Sequence, residues 1–108
     1  MIIRFPLKQG VKAMTIFPFI LINKEEYRSE KRLINHEKIH LAQQLEMLLL
    51  PFYIWYGIEY LFRLIQYKGL DYTSYINISF EREAYANQSN FNYLKERKPY
   101  SWLKYLKG

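Results

Sequence analysis

Leu33, Ile34, Leu41, Leu45 and Leu48 recur at the spacing of one helix face, and this pattern commits the middle of the chain to a helix. Pro51 sets where that helix must stop or bend. The spacing predicts a helix from about Glu30 to Leu50, with Ser29 as its N-cap. Both histidines of the chain fall inside it, as His36-Glu37-Lys38-Ile39-His40. Residues four apart on a helix share a face one turn apart, so both imidazoles can reach one metal ion. Glu37 follows the first imidazole by one residue. It is expected beside the metal rather than on it, placed to take a proton from water as a general base.

The rest of the composition narrows the ligand set. The chain has no cysteine, two histidines and one aspartate, so a third protein ligand to a catalytic zinc must be a carboxylate. Glu46 lies on the same helix, a turn and a half past His40, and cannot easily fold back. Glu59 sits in an apolar stretch, where a partly buried, paired carboxylate is the plainer reading. Asp71 and Glu96 are further downstream carboxylates. The best candidates are Glu81 and Glu83, in Ser79-Phe80-Glu81-Arg82-Glu83-Ala84-Tyr85-Ala86-Asn87. Two residues apart is about 200° of helix rotation, so one cannot replace the other without turning the helix.

Taken together, the H-E-x-x-H of His36–His40 and the E-x-x-A that begins at Glu81 or Glu83 resemble the small gluzincin-type zinc metallopeptidases. The resemblance covers about Leu33–Asn87; its first motif is specific and its second is loose. It implies Zn2+ as cofactor, held by His36, His40 and a Glu of a later helix, with Glu37 as the base. It implies a peptide or protein substrate, and Met14–Ile22 as a strand edge that pairs with extended peptide. Glu81 gives the commoner E-x-E-A order and is taken as third ligand. Glu83 is the alternative, because Asn87 one turn on approximates the Asp that the family uses to hold a zinc-bound imidazole. Gln43, Gln44 and Asn35 are either supports of the site or polar helix surface. Tyr85 is the nearest tyrosine for stabilising an oxyanion.

The remaining elements complete an α+β expectation for a single domain, 1–108: a β-hairpin or small sheet followed by three helices, minimal and zincin-like. Ile2–Leu7 and Met14–Ile22 read as extended, joined as a hairpin around Gly10, with Pro6 and Pro18 on edges. A second helix is expected over Phe52–Tyr67, a loop over Leu70–Ser74, and a third helix over Ile76–Arg97. The aromatic run from Phe52 to Phe62 reads as core rather than a substrate platform.

Half of the residues are hydrophobic and 19% aromatic, which excludes disorder. The net charge of +6 favours acidic partners or simply solubility, and no helix-turn-helix, zinc-finger or RNP signature points to a specific nucleic acid. No signal peptide is evident, so the expected location is cytoplasmic. The apolar run Met47–Ile58 is 12 residues, short for a bilayer span. It fits a buried helix or one that dips into a membrane interface. With the basic aromatic tail Lys98–Lys107, it makes peripheral membrane contact a further expectation. A non-catalytic zinc-binding or membrane-surface module is the rival to an enzyme.

Overall fold

The computed structural model describes residues 1–107 and has an α+β fold. A three-stranded sheet precedes the helices, in the order β1-β3-β2. β1 (Ile2–Arg4) runs parallel to β3 (Phe19–Ile22), and β2 (Ala13–Ile16) runs antiparallel to it. The expected hairpin therefore forms elsewhere. Both of its arms come from Met14–Ile22, which breaks at Phe17-Pro18, a cis peptide. A proline in the middle of a nine-residue extended run has no N–H for a ladder and suits a turn. Ile2–Arg4 takes the other side of β3, with Ile2 opposite Ile20.

β3 alternates in burial, with Ile20 and Ile22 inward. They pack with Ile34 of α1 (Lys31–Glu46), and Ile2, Ala13, Tyr27 and Leu41 surround this core. A 3₁₀ turn, Glu25–Ser29, leads into α1. Ser29 donates its hydroxyl hydrogen to Glu26 O and does not cap the helix, which begins after Glu30. At the other end α1 stops before the expected Leu50. Leu48 and Leu49 take positive φ values, 58° and 64°, which reverse the chain. Pro51 then lies in the first turn of α2 (Leu50–Gln66), where its missing N–H costs nothing.

The second core joins Phe52 of α2, Ile78 and Phe80 of the α4 region, and Trp102 of a 3₁₀ turn, Ser101–Tyr105. Here the elements differ from the expected ones in two places. Asp71–Ile76, expected mainly as loop, forms a short helix, α3. The expected third helix is divided into α4 (Ser79–Asn87) and α5 (Tyr93–Glu96). Gln88-Ser89-Asn90 between them are polar residues, and Ser and Asn compete with helix through side-chain hydrogen bonds.

Buried polar side chains fix α4 against its neighbours. Glu59 of α2 accepts hydrogen bonds from the backbone N–H and hydroxyl of Ser79, at the start of α4, where a carboxylate also suits the helix dipole. Asn35 of α1 donates to the carbonyls of Asn87, Gln88 and Asn90, at the other end. Arg97 forks between Glu46 of α1, at 3.0 and 2.9 Å, and Glu83 of α4. Removing one member of a buried, hydrogen-bonded ion pair leaves its partners uncompensated. Arg97→Met should therefore destabilise the fold by about 3–5 kcal/mol, read as a lower midpoint in urea unfolding.

Candidate metal centre

Between the two cores, α1 and α4 bring His36, His40 and Glu81 together. The three side chains are 4%, 5% and 4% exposed. His36 Nε2 and His40 Nε2 lie 3.2 Å apart, and Glu81 Oε1 is 3.2 Å from the first and 3.0 Å from the second. Three donor atoms thus form a nearly equilateral triangle. This group could hold a metal ion.

Each ligand is oriented from behind. His36 Nδ1 is 2.8 Å from Gln88 Oε1, and His40 Nδ1 is 2.7 Å from Gln43 Oε1. An amide oxygen only accepts, so each Nδ1 carries hydrogen and each Nε2 is the atom available to a metal. The Gln43 amide N–H groups are themselves held by Phe80 O and Glu83 Oε1. Glu81 Oε2, the oxygen turned away from the imidazoles, accepts a 2.8 Å hydrogen bond from the Tyr56 hydroxyl. Partners of this kind fix ring orientation and ligand basicity in metal sites.

Glu37 follows His36 on α1, and its charge acts on His40. Its Oε1 accepts a 2.6 Å hydrogen bond from the Thr15 hydroxyl of β2. Thr15 lies opposite Ile20 in the sheet register, on the face turned to α1, which is why its side chain reaches the helix. The Glu37 charge contributes to the electrostatics of His40, Tyr56 and Tyr85. The Tyr85 ring packs edge-on against the His36 ring, with centroids 4.5 Å apart.

The other candidates take different places. Glu83 is fully buried, but it serves Gln43, Tyr93 and Arg97. Its distance from the triangle follows from the rotation of more than half a turn between positions two apart. Gln44 bonds the edge of β2, donating to Thr15 O at 2.9 Å and accepting from Phe17 N at 2.8 Å. The expected peptide-pairing edge is therefore capped at this point by the chain's own side chain. Asn87 donates to Glu83 O and Tyr105 OH. Gln88 and Tyr56 lie outside the candidates that the sequence offers. Gln88 follows Glu81 by seven residues, two helical turns, and that spacing is the one available signal.

Compared with known protein families, with characterised proteins and with solved structures, the chain gives no match.

In the metal-free protein the site balances its charge with a proton. Burial alone would lower the His40 pKa, but the adjacent Glu81 carboxylate, with smaller help from Glu37, raises it from 6.5 to about 9. Burial would raise Glu81, yet the charge of His40 and the close contact of both imidazoles hold it well below the usual carboxylate range. The His40 contribution to folding is complete below about pH 6.5 and is lost as pH rises through about 9. That of Glu81 is present above its ordinary 4.5 and is lost as pH falls toward its depressed value. The melting temperature of metal-free protein should therefore fall between about pH 6.5 and 9. A metal held by these three side chains would take the place of the His40 proton, so protein loaded with one should lose much less across this window. Gln43→Ala and Gln88→Ala should each weaken metal binding by about 10–100-fold, measured by competition with a chelating dye.

Proposed function

We propose that the chain is a zinc-dependent metallopeptidase-like protein, with His36, His40 and Glu81 as ligands and Glu37 as general base. The observation that carries this reading is one triangle of donors 3.0–3.2 Å apart, with Glu37 next in the chain to His36 and its charge acting on His40. Ligands at about 2.0–2.1 Å from a tetrahedral zinc stand roughly 3.3–3.4 Å apart, close to the separations here. Two neutral imidazoles and one carboxylate suit zinc, which leaves a fourth position in catalytic sites. Bound zinc supplies Lewis acidity and makes water a nucleophile near neutral pH.

The chain's own residues do the rest. Glu37, fixed by the Thr15 hydroxyl, takes a proton from the attacking water and passes it to the leaving amine. Its negative charge also offsets the excess positive charge of zinc with a single carboxylate ligand. Tyr85 is half-exposed over the His36 ring, and burial holds its phenol above its ordinary pKa, so it remains a hydrogen-bond donor. We assign it to the carbonyl oxygen of the substrate.

A second reading keeps the zinc without turnover. It is favoured by the burial of all three ligands and by Gln44, which occupies the β2 edge where an extended peptide would pair.

Elemental analysis and peptide-library hydrolysis separate the two. About one zinc per chain is expected, lost in His36→Ala and Glu81→Ala and kept in Glu37→Gln. Under the peptidase reading, Glu37→Gln lowers turnover by at least about 10²-fold. Stoichiometric zinc with no cleavage by the wild type would favour the second reading. No zinc uptake at all would sink both.

A further inference from the structure

α2 is built the opposite way from a helix on the surface of a water-soluble globule. Its two charged residues, Glu59 and Arg63, are buried, 6% and 2% exposed. Its outer face carries Tyr53, Ile54, Ile58, Leu61, Phe62 and Ile65, which are 42–80% exposed. Ile54, Ile58, Leu61, Phe62 and Ile65 recur at three and four, so they form one continuous stripe, with Tyr53 at its margin. Leu45, Leu48 and Leu50 extend it around the bend from α1, where the two helices meet at 114°. An exposed apolar surface of this extent marks an interaction face.

The chain that carries the stripe is basic, with a net charge of +6. The C-terminal segment lies alongside α2: Trp102 contacts Trp55, and the Leu106 carbonyl accepts a hydrogen bond from Arg63. That segment brings exposed Lys98, Lys104 and Lys107, and Lys68 follows α2 directly. From Arg97 to the end of the chain the sequence contains no Asp or Glu. Tyr100 and Leu103 of the same segment are about half-exposed.

We propose that the outer face of α2 and this basic segment seat the protein on an anionic phospholipid surface. Seventeen residues span about 25 Å, less than the roughly 30 Å hydrocarbon core, and no single helix among the described residues is long and apolar enough to cross a membrane. α2 therefore lies in the boundary between headgroups and acyl chains, its apolar stripe downward and its two charges turned into the protein. The lysines supply attraction to anionic headgroups, and Tyr53, Trp55 and Tyr100 suit the interfacial depth. Charge complementarity favours this occupant over a second copy of the chain, which carries the same net charge of +6. The inference does not depend on the zinc site or its chemistry.

The test is co-sedimentation of the full chain with vesicles of phosphatidylcholine, alone or mixed with phosphatidylglycerol. At low salt, partitioning onto the mixed vesicles should exceed that onto neutral ones by at least about tenfold and fall as salt is raised. The combined Ile58→Gln, Leu61→Gln and Ile65→Gln variant should lose more than about tenfold in partitioning, with its melting curve and circular dichroism retained. Lys104→Gln with Lys107→Gln should reduce the preference for anionic vesicles. No association with either vesicle, equal binding to both, or an unimpaired triple variant would overturn the proposal. So would a dimer in sedimentation velocity that the triple variant dissociates while neither protein binds vesicles.

Discussion

Ionisable groups taken out of water must be matched by partners, and this requirement organises the centre of the molecule. His36, His40, Glu37, Glu81, Glu83 and Arg97 could not share a small interior as isolated charges. Glu81 answers both imidazoles with one oxygen and Tyr56 with the other. Arg97 answers Glu83 and Glu46. Because these partners come from α1, α2, α4 and the segment after α5, satisfying them fixes how the elements pack. The two apolar clusters flank this polar belt and are individually small.

The belt also explains how the three donors are held so close. Glu81 Oε1 draws both imidazoles to short range, and Gln43 and Gln88 set the ring planes. Glu59 acts at one remove: by fixing Ser79 at the start of α4, it fixes the rotation of that helix and so the direction of Glu81. Its place in an apolar helix, read from sequence as a paired carboxylate, has this consequence for the centre.

The legible parts of the sequence are those set by local period. The i, i+4 histidines and the carboxylate beside them follow from helix geometry, and the sheet-then-helices order follows from residue type. The choice between Glu81 and Glu83 depends on how α4 is rotated, which Glu59 and Asn35 decide from other helices. Tyr56 is hidden because an aromatic in an apolar run looks the same whether its hydroxyl is used or not. The hairpin is misplaced because Gly10 suggests a turn while Pro18, in the middle of an extended run, makes one. The burial of Glu59 and Arg63 inverts α2 in a way that its composition alone does not reveal.

Gln44 presents to the rim of β2 the donor and the acceptor of a peptide group, and so ends the sheet with a side chain. An uncapped edge is a template on which strands from other molecules add. This chain exposes Met14 and Ile16 on that same strand. One amide on α1 thus does for the sheet what a further strand would do. It gives a chain rich in exposed apolar surface a guard against growth into β-aggregates.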